Sequence, residues 1–289
     1  MRKIFTLWSL LWAFCVQAEM WKTSSIEKIQ KALEVVGSDT IVIVDCDDTL
    51  IRPKDSILQT AYSKELKRLM NKMAGQSKSA ARYQRIILRD ASCLLLSPQW
   101  PKILAALQAR GVHVLLLSSS LTEDPEDGKN LPSWRYQKLC NLGMDFRKSW
   151  REVPERVFSC EEEGPLFRRR RGQVVFKDGL LLCCFGQKGE ALHLFLRSLP
   201  QYSFKRIIFV DDVEHNLKSV GKVAHALGRT FVGIKFILEK ERTPDPLDLS
   251  IAEQQLRFLV KEERWISEEE VHALKNVTDP PLSAHEPGL

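Results

Sequence analysis

The sequence predicts an α/β fold: an open, doubly wound parallel sheet with a small helical cap inserted after its first strand. Three observations carry that reading. Short apolar runs of strand length alternate with segments of helical period, the pattern of parallel strands joined by crossover helices. The strand runs IVIV, VHVLLL, IIFV and FVGIKF are apolar nearly throughout, as strands buried on both faces are. Residues 55–100 are too many for a plain loop, and they carry helical spacing.

In chain order, Ile26–Val36 (IEKIQKALEVV) reads as an amphipathic helix, and Gly37-Ser38-Asp39 as the turn into strand Thr40–Val44. The segment 55–96 follows, with LQTAYSKELKRLMNKM and SAARYQRIILRDASCLLL both at helical spacing and with few breakers. Ile103–Arg110 is helical, Gly111 ends it, and Val112–Leu117 is a second strand. Thr122–Pro132 is a loop rich in Asp, Glu, Pro and Gly, and Arg135–Leu142 is a helix closed by Gly143. Val174–Phe176 and Leu180–Cys184 flank Lys177-Asp178-Gly179 as a hairpin. Helix Gly189–Leu199, strand Ile207–Val210, helix Leu217–Leu227 and strand Phe231–Phe236 complete the alternation. The Pro-rich end, Thr278–Leu289, is expected to fray. The expected organisation is a core of 19–54 and 101–245, a cap of 55–100, and a C-terminal helical extension with a flexible tail over 246–289.

Residues 1–18 read as a signal peptide. Met1-Arg2-Lys3 is a positive start, Ile4–Val16 an apolar run, and Val16-Gln17-Ala18 supplies the small residues for cleavage after Ala18. The run is shorter than the roughly 20 residues of a spanning helix. The expectation is therefore an exported chain, periplasmic or secreted, with no stable membrane insertion once the leader is cleaved. Over 289 residues, 44% apolar and 28% charged composition fits a globular enzyme and excludes a disordered chain. The net charge of +6 is modest and spread widely, so it does not by itself argue for nucleic acid, and no nucleic-acid partner is expected. The blocks Glu161–Glu163 and Arg168–Arg171 read as a solvated loop. Cysteines Cys46, Cys93, Cys140, Cys160, Cys183 and Cys184 show no C-x-x-C spacing, so a zinc ribbon is not expected. Neither their pairing nor the oligomeric state is set by the sequence.

Chemistry concentrates at the strand ends. In open α/β sheets, ligands bind beyond the carboxyl ends of the strands where the strand order reverses. The first strand ends in Asp45-Cys46-Asp47-Asp48-Thr49, the second in Ser118-Ser119-Ser120, and the third in Asp211-Asp212. Gln187-Lys188-Gly189-Glu190 opens a helix between the last two. Carboxylates this close raise one another's pKa unless positive charge intervenes.

That order resembles the haloacid dehalogenase (HAD) superfamily. The match comprises its D-x-D-x-T motif (Asp45, Asp47, Thr49), its strand-end Ser or Thr (Ser118), its Lys (Lys188) and its paired acids (Asp211, Asp212). More narrowly, NLGMDF, FKDGLLL and GQKGEAL resemble an exported HAD-like family of unknown function from intracellular bacteria. The resemblance implies a phosphatase hydrolysing a phosphomonoester, with Asp45 as nucleophile through an aspartyl-phosphate, Asp47 as general acid and base, Ser118 and Lys188 on the phosphoryl oxygens, and Mg²⁺ as cofactor. It implies metal ligation by the Asp45 carboxylate, the Asp47 backbone carbonyl and Asp212, with Asp211 acting through water and Asn216 anchoring its neighbours. A small phosphorylated substrate is the expected partner, selected by the cap. Where the narrower family often carries Arg two residues after the Ser or Thr, this chain has Ser120. Lys64, Lys67, Arg68 and Lys72 read as a solvated face, His113 and His215 as filler. The alternatives are a non-catalytic HAD-like exported binding protein or effector, and a phosphotransferase sharing the first half-reaction.

Overall fold

In the computed structural model, which describes residues 18–74, 79–122, 131–158, 173–238 and 246–278, eight strands form one sheet. They are β1 (Ala18–Thr23), β2 (Thr40–Val44), β5 (His113–Ser118), β6 (Arg156–Phe158), β7 (Val174–Lys177), β8 (Leu180–Leu182), β9 (Arg206–Asp211) and β10 (Thr230–Phe236). Their order across the sheet is β1-β10-β9-β2-β5-β8-β7-β6. The strands from β1 to β8 in that order run parallel, and β7 and β6 are added antiparallel at one edge. The expected α/β sheet is therefore mostly, not wholly, parallel. The reversal is local: β7 and β8 are a two-residue hairpin around Asp178 (φ 50°) and Gly179 (φ 82°). A side chain at Gly179 would strike the backbone of Phe146, so this turn requires glycine.

Strand β2 shows why the sheet sits in the centre. All five of its residues are buried. Ile41 and Ile43 pack in one cluster with α6 (Lys188–Arg197) and α7 (Glu214–Ala226). Val42 and Val44 face the other way, into a cluster with α1 (Ile26–Glu34) and α4 (Trp100–Ala109). Period-two alternation thus sends one β-branched strand into two cores. Helix α1 starts where the Ser25 hydroxyl accepts the Lys28 amide at 3.2 Å, and its apolar stripe buries Ile26, Ile29 and Leu33.

After β2 the chain leaves the sheet through β3 (Ile51–Pro53) and returns through β4 (Cys93–Leu95), a two-stranded antiparallel stem. Between them lie α2 (Ser63–Ala74) and α3 (Ser79–Asp90), the two expected helical patterns. The stem was not foreseen, because CLLL reads as the end of a helix and three-residue apolar runs have no diagnostic period.

The two helices do not stand alone. Leu69, Tyr83 and Ile86 share a cluster with Ala252, Leu256 and Leu259 of α8 (Leu249–Glu262) and with Trp265. A buried carboxylate ties the join. Asp55 is 1% exposed and accepts the Trp265 indole N–H and the Glu268 amide, both at 2.8 Å. Glu268, the first residue of α9 (Glu268–Thr278), accepts the Ser56 amide in return at 2.5 Å. Trp265→Ala should therefore lower unfolding free energy by about 3–5 kcal/mol in urea titrations, the usual range for a buried Trp. An unchanged midpoint would show that the join does not support the fold.

Other expectations were adjusted at their edges. Strand β1 went unread because AEMWKT mixes charge with apolar residues, as an edge strand can. Helix α5 (Leu131–Asn141) begins earlier than expected, with Pro132 in its first turn, where a missing amide costs nothing. Residues 1–17 of the expected leader, both charge blocks, Cys160, most of the Thr122–Pro132 loop and the tail beyond Thr278 lie outside the described residues. The described cysteines, Cys46, Cys93, Cys140, Cys183 and Cys184, are free thiols. No helix among the described residues is long and apolar enough to cross a membrane.

Candidate functional site

Strands β2 and β9 are neighbours, with Val44 opposite Val210, and one residue further the Asp45 amide donates to the Val210 carbonyl at 2.9 Å. This register brings Asp45 level with Asp211, the last residue of β9. Strand β5 lies on the other flank of β2 and ends at Ser118, which is 1% exposed. Lys188, the first residue of α6, reaches the same rim from a helix start. Gly189 allows that approach: any side chain there would run into the Ser219 carbonyl and hydroxyl on α7, and its amide donates to Ser219 Oγ at 3.2 Å.

The centre is a buried ion cluster. Lys188, 2% exposed, donates from Nζ to Asp45 Oδ1 and, at 2.7 Å, to Asp211 Oδ2. Asp211 is fully buried, and its Oδ1 also accepts the Val213 amide at 2.7 Å. Asn216 Nδ2 lies 3.1 Å from both Asp211 oxygens, the anchoring expected of it. Asp45, Asp211 and Asp212 each present an oxygen within 4.8 Å of the others. Burial pushes the Asp45 carboxyl well above its usual range, the Asp211 charge adds to this, and Lys188 only partly opposes it. Asp212 rises to about 6, through burial and then through Asp211 and Asp48. For Lys188 burial works against the charge, but the two carboxylates outweigh it and its pKa rises. Three carboxylates against one ammonium leave an excess of hard, negative oxygen donors, which fits a small divalent cation such as Mg²⁺.

Asp47 is placed differently. The turn after Asp45 is held by the Leu50 and Ile51 amides on the Cys46 carbonyl, at 2.9 and 3.1 Å, and by Trp100 Nε1 on the Thr49 carbonyl at 3.1 Å. Its carboxylate lies outside the carboxylate trio and accepts from Arg135, Nη1 to Oδ1 at 2.8 Å and Nη2 to Oδ2 at 3.3 Å. Arg135 Nη2 also donates to Ser120 Oγ at 3.3 Å. A guanidinium from α5 thus reaches Ser120, just beyond the end of β5. Burial works against the Arg135 charge, yet Asp47 more than offsets it, so its pKa stands above the ordinary value.

Sequence reasoning missed three residues here. Arg135 left one signal: with Leu131 and Leu139 it forms the buried stripe of α5, a charged residue where an apolar one is due. Thr60, which hydrogen-bonds Asp48, left none. Phe185 sits 60% exposed at the mouth of the cleft in the left-handed region (φ 60°), after Cys184 at φ 43°. Its amide donates to the Ser119 carbonyl at 2.9 Å, so the serines that end β5 also hold this strained turn. Together Asp45, Asp47, Ser118, Arg135, Lys188 and Asp212 line one cleft of about 350 Å³. His113 packs in an aromatic cluster, 5.0 Å from the ring centres of Trp150 and Tyr202, and His215 is exposed on α7. Arg68 pairs with Glu65, and Lys72 with Glu253 at 3.0 Å, both at the surface.

The sequence pattern of a family described as "Protein of unknown function (DUF2608)" matches residues 22–272, a span running from β1 into α9. The chain belongs to this family. An uncharacterized protein of Rickettsia prowazekii is 22% identical over 279 residues, covering 94% of this chain and 97% of the relative. A Chlamydia muridarum protein named "Putative outer membrane protein" is 21% identical over 263 residues, covering 87% of this chain and 92% of the relative. No solved structure matches the chain at a significant level. The family match spans every residue of the cleft.

Proposed function

We propose that the chain is an exported, Mg²⁺-dependent phosphatase of the HAD type, hydrolysing a phosphomonoester through an aspartyl-phosphate on Asp45. One observation carries this reading: residues from four distant segments, Asp45, Ser118, Lys188 and Asp211-Asp212, meet at a single rim of the sheet. Asp45, Asp212 and the Asp47 backbone carbonyl would hold the ion, with Asp211, already engaged by Lys188, Val213 and Asn216, acting behind them. The ion would supply the positive charge that neutralises phosphoryl oxygens and screens the carboxylates from one another.

The chain's own groups account for the rest. Lys188 orients the Asp45 carboxylate and balances its charge while an oxygen of that carboxylate attacks phosphorus. The bond from phosphorus to the ester oxygen breaks, and Asp47 gives that oxygen its proton. Water then attacks the acyl phosphate and passes a proton to Asp47, releasing orthophosphate and restoring Asp45. Ser118 donates to a phosphoryl oxygen. Arg135 pairs with the charged form of Asp47, the form that accepts the proton in the second step. Aryl phosphates, whose leaving groups need little protonation, are therefore the substrates of choice for a first assay.

Export rests on the leader pattern and on the name of the Chlamydia relative. Cleavage after Ala18 would leave Glu19–Thr23 of β1 paired with β10.

Purified chain is expected to release phosphate from an aryl phosphate only with Mg²⁺, and beryllofluoride is expected to raise its melting temperature only with Mg²⁺. Failure of both would leave a binding protein built on the same scaffold. The pH dependence has a fixed sign. Without metal, Asp45 and Asp212 hold protons above the usual carboxylate range, Asp212 up to about 6, and Mg²⁺ must displace them. The thermal shift produced by Mg²⁺ should thus grow as pH rises from about 5 to 8. A shift that shrinks over that range would place the ion elsewhere.

A further inference from the structure

A second cavity of about 490 Å³ lies beside the phosphoryl cleft, lined by α2 and α3, and the two share a wall. Asp47, Asp48, Thr60, Gln84, Leu88 and Arg135 line both. Beyond that doorway the wall turns apolar: Pro53 and Leu58 by the stem, Leu66 and Met70 from α2, and Ile87 from α3. Lys138 is also on this wall, but its Nζ donates to the Leu88 and Ala91 carbonyls, both at 2.6 Å, at the end of α3. Its charge is therefore occupied in closing that helix.

We propose that this chamber holds the alcohol portion of the substrate, and that the substrate class is a phosphomonoester of a bulky apolar alcohol, alkyl or aryl. The inference rests on the phosphatase reading above. In that reading Asp47 protonates the ester oxygen, and Asp47 stands at the doorway, so the scissile oxygen lies where cleft and chamber meet. With the phosphoryl group against Asp45 and Lys188, the rest of the ester points into the chamber. Its volume lies within the usual small-molecule range of about 300–1,000 Å³. Most of its wall is apolar, and the two polar side chains beyond the doorway on α2, Lys67 and Asn71, are exposed to solvent. An apolar group there leaves water, whereas a polyhydroxylated one would lose hydrogen bonds to water without replacement. Residues 246–278 shape the specificity at one remove, because α8 packs behind the helices that bear Leu66, Met70 and Ile87.

The test uses the full chain in Mg²⁺ with n-alkylphosphonates from methyl to octyl, which bind without being cleaved. Calorimetry is expected to show affinity rising about threefold to fourfold for each added methylene. Met70→Trp, which fills the chamber, and Leu66→Asn, which wets it, are each expected to flatten that dependence. The comparison is a ratio of octyl to methyl affinity within one protein, so a variant that folds poorly is replaced by the other. Affinity independent of length, with phenyl phosphate still hydrolysed, would overturn the chamber and leave the phosphatase standing. Octanol bound as tightly as octylphosphonate, with no hydrolysis of phenyl phosphate, would overturn both and make the chamber an apolar-ligand site. Absence of all binding and of all hydrolysis would remove the phosphatase reading and this inference with it.

Discussion

Lys188→Met is expected to lower the metal-free unfolding free energy by about 3–5 kcal/mol, the scale for stranding buried carboxylates without their cation. On a chain of this size that is a drop of about 10 °C in melting temperature. Asp45 and Asp211 both rest on this one ammonium, and both are buried. The loss should depend on pH with a definite sign. The Asp45 carboxyl already stands above its usual range, chiefly through burial. Removing Lys188 raises it further. A carboxyl whose pKa is higher folded than unfolded stabilises the fold at low pH and loses that contribution as pH rises. The variant should melt closest to the parent near pH 5 and furthest below it near pH 8, with Mg²⁺ recovering part of the difference. Parallel curves at every pH would mean that Lys188 acts through packing alone.

Asp45→Asn separates chemistry from folding. Loss of the proposed nucleophile is expected to reduce phosphate release about 10⁴-fold or more, the scale seen when a covalent nucleophile is removed. Stability should move little, within about 1–2 kcal/mol. The exchange removes a burial penalty along with an ion-pair partner, Lys188 keeps Asp211 at 2.7 Å, and an amide oxygen still accepts from Nζ. Rapid-quench assays with an aryl phosphate and thermal melts without metal read the two effects separately. Residual turnover above about one percent would assign the attack to another group.

The parts of the fold that were legible in the sequence share one physical cause. Strands β2, β5, β9 and β10 lie inside the sheet, and a strand buried on both faces must be apolar along its length, so IVIV and IIFV announce themselves. Edge and stem strands are under no such demand. AEMWKT pairs with a single neighbour, and IRP and CLL pair only with each other, so composition carries no strand signal there. The site divides in the same way. Acids at the ends of apolar strands stand out because nothing else explains crowded charge beside a core. Arg135 showed only as a charge in the apolar stripe of α5, and Phe185 stayed hidden, because where α5 and the turn after β8 are carried is encoded by no local pattern. Nothing around Ser120 in the sequence announces that Arg135, carried in by α5, donates to its hydroxyl. Asp47 was read as general acid and base with only its backbone carbonyl toward the ion, and its side chain lies outside the carboxylate trio, paired with Arg135.

The join at Asp55 imposes an order of assembly. Every strand that bears a proposed catalytic residue precedes α8 in the chain, yet the helices over the chamber complete their packing only against α8 and Trp265. The segments of the acidic rim thus all precede, in the chain, the helix that braces the roof. On the proposed phosphatase reading, hydrolysis of bulky esters is expected to require the last helices to dock.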